Sequence, residues 1–178
     1  MIEQLARRLM ASAEEPLGLP HLLESVHLVA GTTRGVCAVK IGASDRALEA
    51  ELRAEFPDAR VDRADRRLAE WVATIVASLE RGAPDPRLPL DVRATAFQRR
   101  VWRELQRIPR GATASYGEVA RRVGRPSAAR AVARACATNP IALVVPCHRV
   151  VRGNGELGGY HWGVDRKRRL LEAEAADV

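Results

Sequence analysis

Aromatic side chains are scarce in this chain of 178 residues, at 4% of the total, so its cores must be mostly aliphatic. Lysine is scarcer still: of 29 basic residues only Lys40 and Lys167 are lysines. There are three cysteines, Cys37, Cys136 and Cys147. An odd count at wide spacing argues against a disulfide framework and for a reducing compartment, the cytoplasm. Ligand spacing for zinc is missing as well, so no metal is expected. No apolar run approaches the roughly 18 residues of a membrane span. The start, Met1-Ile2-Glu3-Gln4, lacks a charged leader backed by an apolar segment, so no signal peptide and no membrane partner are expected.

Charge is plentiful but uneven. Residues 1–92 carry 12 basic and 15 acidic side chains, and residues 93–178 carry 17 and 7, which gives nets of −3 and +10. A basic half beside a mildly acidic one suggests that one part meets a polyanion.

The length suits one domain or two small ones, and the expected class is α+β. Residues 1–25 form an N-terminal extension of unclear role, either private to this chain or left from a longer fused protein. Ile2 to Met10 has helical spacing at Leu5 and Leu9, broken by Pro16 and Pro20. Residues 26–92 are expected to form a small domain with an antiparallel sheet plus helices. Val26–Ala30 and Gly35–Ile41 read as strands joined by Gly31–Arg34, with a short third strand near Ala59–Val61. Ser44 can cap a helix stopped by Pro57, and Leu68 to Leu79 has the 3.6 period of a second. The linker is placed at residues 82–86. Residues 93–178 are expected to be mainly helical. Thr95 can cap a helix, and Ser115-x-x-Glu118 is a capping box opening another. After the turn Gly124-Arg125-Pro126, Ser127 can cap Ala128–Cys136, which makes the layout of a helix-turn-helix.

The sharpest local signal is Pro146-Cys147-His148-Arg149-Val150, placed after the apolar run Ile141–Val145, which reads as a buried strand. A cysteine leaving a rigid element can be a nucleophile, and a nearby imidazole or cation favours its thiolate. Equally, free cysteines are often buried and inert. Side chains of adjacent residues on extended chain point to opposite faces, so His148 would reach Cys147 through a water.

Together with Asn139-Pro140, Val151–Gly155, Gly158–Val164, Lys167 and Leu170-Leu171, this motif resembles the active-site signature of the O6-alkylguanine-DNA alkyltransferases. From about Val26 onward the chain is similar to the Ada-type members. The resemblance implies a ribonuclease H-like first domain and a winged-helix-like second one. It implies direct DNA repair: irreversible, single-use transfer of an alkyl group to the protein's own cysteine. The group comes from O6 of guanine in duplex DNA, with O4 of thymine a second candidate, after the nucleotide flips out. No cofactor is implied, and the protein is expected to be a monomer. Cys147 would be the nucleophile and His148 its base. Spacing puts Glu174 on a buried helix face without preferring it to Glu172; the family's Leu-Leu-x-x-Glu ending chooses Glu174 to orient His148. Asn139 would support the turn at the cysteine. Tyr116 would press on a phosphate and hydrogen-bond the flipped base. Ser127, Ala128, Ala129, Arg130, Ala131 and Arg134 would lie in the minor groove, with Arg130 filling the hole in the stack. Cys136, Val150, Tyr160 and His161 would line the alkylguanine pocket, where the bulky His161 narrows the space.

Residue by residue, blander readings stand beside these. Ala128–Cys136 also reads as an alanine-rich core helix, and Arg130 as a plain phosphate contact. Two other functions remain open: a DNA-binding damage sensor without transfer, and a Cys-His-Glu hydrolase that turns over.

Overall fold

The computed structural model describes residues 6–9, 26–42, 44–61, 66–80 and 87–176. The expected proline breaks at Pro16 and Pro20 and the linker at 82–86 lie outside these residues. The chain divides into two units: Met1–Val92 with Pro140–Val144, and Arg93–Asn139 with Val145–Val178. The stretch 93–178 is therefore interrupted by five residues that belong to the first unit.

The first unit holds an antiparallel sheet in the order β1 (Ala6–Leu9), β2 (Val26–Thr32), β3 (Gly35–Gly42). The helical reading of Ile2–Met10 is corrected at Ala6–Leu9, the described part of it, by β1, which pairs with β2 from Ala6↔Ala30 to Leu9↔His27. An offset of four residues returns to the same face of a strand as well as of a helix, so Leu5 and Leu9 could not choose between them. The third strand expected at Ala59–Val61 is reduced to a single bridge residue, Arg60. The far edge of β3 is met by two other segments. Val36 pairs with Leu90 and Val39 with Ile141, both parallel, and the Val39 amide donates to Pro140 O at 2.8 Å.

Two helices complete this unit, α1 (Asp45–Glu55) and α2 (Arg66–Glu80). Ser44 caps α1 by accepting from the Ala47 amide at 3.3 Å. Leu48 and Leu52 of α1 pack on Leu28, Ala30, Cys37 and Ala38. β3 is buried along most of its length, which accounts for its continuous apolar run where a half-exposed strand would alternate.

The second unit comprises α3 (Ala96–Leu105), β4 (Ala114–Ser115), α4 (Tyr116–Arg122), α5 (Ala129–Ala137), a 3-10 helix at Cys147–Arg149, β5 (Val150–Val151) and α6 (Val164–Ala176). Capping boxes open α3 at Thr95 with Gln98, and α4 at Ser115 with Glu118. Gly124, at φ +74°, reverses the chain after α4: its amide donates to Arg121 O and that of Arg125 to Ala120 O, both at 2.9 Å. This closure needs a left-handed residue, which glycine supplies at least cost. Ser127 does not cap α5. The N-cap is Ala128, with no side-chain hydrogen bond, so the helix starts one residue later than its capping serine predicted. Trp102 Nε1 donates to Ala135 O at 2.9 Å and ties α3 to α5. Mixed helices with small sheets is the architecture observed. Among the described residues no helix is long and apolar enough to cross a membrane.

Candidate functional site

Ile141–Val145 is not a strand. Ile141 makes one bridge, and Ala142–Val144 turn, with Leu143 at φ +70°. All five residues are buried, so an apolar run is required there whatever its backbone does. Nor is Cys147 on extended chain. It starts the 3-10 helix, where its own amide donates to Val145 O at 2.8 Å and that of Arg149 to Pro146 O at 3.0 Å.

This turn sends the three side chains to separate partners. Cys147 is buried and its Sγ accepts from Asn139 Nδ2 at 3.3 Å; the same amide nitrogen donates to Val145 O at 2.9 Å. Asn139 thus fixes the loop and the thiol with one group. Burial pushes the Cys147 thiol up to about 11, although the Asn139 hydrogen bond and the Lys167 charge pull it down. Cys147 therefore rests as a thiol at neutral pH.

His148 Nε2 lies 2.9 Å from Glu174 Oε1. Both are buried, as is Arg149. Arg149 grips the same carboxylate as a fork, with Nη2 2.8 Å from Oε1 and Nε 2.9 Å from Oε2, and its Nη1 donates to Ile108 O at 2.7 Å. Arg110 Nη1 is 3.9 Å from Oε1, and the Gly111 amide donates to Oε2 at 3.4 Å. Burial alone would raise the Glu174 carboxyl; the hydrogen bonds from His148 and Arg149 outweigh it and hold the group down at about 2. Sequence reasoning counted Arg149 only as a charge near the cysteine and overlooked Arg110. The available signal was chemical: a buried carboxylate four residues after Leu170 needs cationic donors.

β4 pairs in parallel with β5, Ala114 with Val150 and Ser115 with Val151. This pairing brings the start of α4, and so Tyr116, to the cysteine turn. The Tyr116 phenol is raised by burial first, then by Cys136 and Cys147. Its hydroxyl lies against the loop after β5: a Cβ on Gly158, at φ +66°, would stand 3.1 Å from it. Lys167 is fully buried and donates from Nζ to Val150 O and Leu157 O.

Other expected pocket residues are placed as follows. Cys136 and Val150 are buried, and burial raises the Cys136 thiol. Tyr160 and His161 both stand edge-on to the buried Trp162, at ring distances of 5.2 and 5.0 Å. The Tyr160 hydroxyl is buried with no hydrogen-bond partner among the described residues. On α5, Val132, Ala135 and Cys136 point inward, Arg130, Ala131 and Arg134 are exposed, and Ser127 just ahead of the helix is exposed too. Ala128 and Ala129 are half-buried.

A family model described as "6-O-methylguanine DNA methyltransferase, DNA binding domain" matches residues 96–176. The "Bifunctional transcriptional activator/DNA repair enzyme Ada" of Escherichia coli K12 is 49% identical over 148 residues, covering 83% of this chain and 42% of that protein. A "Methylated-DNA--protein-cysteine methyltransferase" of Mycolicibacterium paratuberculosis is 59% identical over 87 residues, covering 49% of this chain and 53% of its own length. This chain thus spans about half the length of the curated relatives it matches. Among solved structures, Mycobacterium tuberculosis OGT in complex with DNA superposes with a TM-score of 0.70 at 36% identity, over 85% of this chain and 87% of that one. A structure 36% identical that this chain covers to 87%, together with the family model and the curated relatives, shows that the chain belongs to the O6-methylguanine-DNA methyltransferase family.

Proposed function

We propose that this protein repairs DNA by direct reversal, moving an alkyl group from O6 of guanine to Cys147. The observation that carries this reading is the buried thiol on the Asn139-braced turn, one residue from a histidine held by a buried carboxylate. Glu174 binds His148 through Nε2, which leaves Nδ1 as the proton acceptor. His148 takes the Cys147 proton through a bridging water, and the sulfur attacks the alkyl carbon. The C–O6 bond breaks, guanine keeps its electron pair, and Tyr116 hydrogen-bonds the departing base and passes it a proton, which the one held by His148 replaces. In balance, the thiol proton ends on guanine and the alkyl carbon on sulfur. The thioether has no nearby group to hydrolyse it, so each molecule acts once. The DNA itself is the alkyl donor, and no cofactor enters.

An O6-alkyl group is buried in duplex DNA, so the nucleotide must flip to meet a fixed thiol. The exposed Arg130, Ala131 and Arg134 suit a minor-groove approach, since small side chains admit a sugar-phosphate wall. Arg130 fills the vacated stack. Cys136, Val150, Tyr160 and His161 line the pocket for the extruded base. In the finer fold reading the first unit is ribonuclease H-like and the second winged-helix-like. The protein acts as a monomer in the reducing cytoplasm, which suits its three free cysteines.

The test is duplex DNA carrying O6-methylguanine with a labelled methyl group, given to limiting protein and to Cys147→Ala. One label per chain on the wild type and none on the variant is expected. Label that stays on DNA despite tight binding would indicate a damage sensor, and label released to solution a turning-over hydrolase; either result overturns the proposal.

A further inference from the structure

Glu174 is shared in an unusual ratio. In a simple carboxylate–imidazole pair the carboxylate stabilises the imidazolium, and the histidine becomes easier to protonate. Here one carboxylate serves the Arg149 fork at 2.8 and 2.9 Å, the Arg110 guanidinium at 3.9 Å and His148 at 2.9 Å. Two permanent cations already exceed its single charge. A proton on His148 would be a third positive charge in a buried site.

We propose that Arg110 and Arg149 are positioning residues of the thiol-activating network: by sharing Glu174 they hold His148 as the neutral imidazole able to take the Cys147 proton. His148 meets Glu174 of α6, and the charged groups that share this carboxylate with it are Arg149 of its own turn and Arg110 of the loop after α3; Cys147 precedes it in the chain. Lys167 and Tyr160 act on the Cys147 side. None of the cations in this set can lose its charge near neutral pH except by burial of Lys167, so the bias is permanent. Arg149 also anchors the turn through Ile108 O, whereas Arg110 stands 3.9 Å from Glu174 with its side chain 16% exposed. Arg110→Gln therefore tests charge without removing the Arg149 fork.

This inference deepens the alkyl-transfer reading, and its test separates the two. The His148 ring nitrogens are titrated by NMR in the wild type, Arg110→Gln and Arg149→Lys, with folding checked by circular dichroism. Single-turnover methyl transfer is followed over the same pH range. With one cation removed, Arg110→Gln should titrate His148 at least about half a pH unit higher. Its transfer rate relative to wild type should then drop by up to about threefold as pH falls through that midpoint. Arg149→Lys keeps the charge, so its midpoint should stay near that of the wild type even if the loss of the fork slows transfer at every pH. An unmoved or lowered midpoint in Arg110→Gln would overturn the assignment, as would an equal rise in Arg149→Lys. A midpoint that rises while no methyl moves would keep the charge assignment and defeat the alkyl-transfer reading.

Discussion

Asn139 does two jobs with one amide nitrogen, and its loss should be felt twice. Asn139→Ala takes one donor from Val145 O, which keeps the Cys147 amide, and this costs about 0.5–1.5 kcal/mol in chemical denaturation. It also removes a hydrogen bond that lowers the thiol, so Cys147 should react more slowly with iodoacetamide at a fixed pH. Tyr160→Phe has the opposite sign for stability. Deleting a buried hydroxyl that has no partner among the described residues should stabilise the free protein by up to about 1 kcal/mol, read as a higher melting temperature. At this scale the sequence disclosed residue types and not directions. Cys147 and His148 stood out by motif, because a thiol beside an imidazole is chemically distinctive, whereas Glu174 was chosen over Glu172 only by the family's Leu-Leu-x-x-Glu ending. Arg149 sits in the same motif, yet adjacency does not say that a 3-10 turn aims it at the carboxylate that holds His148.

Short elements of the second unit depend on their ends. Gly124 sits at φ +74° with open space where a Cβ would go, so Gly124→Ala meets no clash and tests the backbone alone. A loss of about 1 kcal/mol is expected, again by denaturation. On α5 the exposed arginines separate binding from chemistry. Arg134→Ala should weaken DNA binding uniformly across sequences and lower the slope of log K against log salt by about one, measured by fluorescence anisotropy. Thr95, Ser115 and the Gly124 turn were legible because capping is local chemistry, written within four residues. The apolar run 141–145 was misread as a strand for the converse reason. Burial on all sides demands apolar residues and leaves the backbone path unstated, here a turn with Leu143 at φ +70°. β1 escaped notice because its partner β2 begins well beyond it in the chain, and pairing at that range has no local signature.

Across the whole chain, charge is divided between a first stretch at net −3 and a second at +10. That asymmetry was fully legible, since it needs only counting. The response to acid is a different whole-molecule property. Glu174 releases its proton more readily when folded, at about 2 against its ordinary 4.5. A depressed folded value contributes stability above the unfolded value and loses it as pH falls through the folded one. Stability should therefore decline as pH drops from about 4.5 toward 2, and Glu174→Gln should flatten that part of a denaturation profile while lowering stability at pH 7.

Pro140–Val144 belongs to the first unit although everything near it in the chain belongs to the second. For a chain made on the ribosome this sets an order of events. β3 emerges early, but Val39 waits for Ile141, more than a hundred residues later, before that edge is bridged. The first unit is thus the earlier to begin and cannot finish until Pro140–Val144 has been made. Cys147 follows Val144 by three residues, so the cysteine turn is made directly after the last segment that the first unit needs.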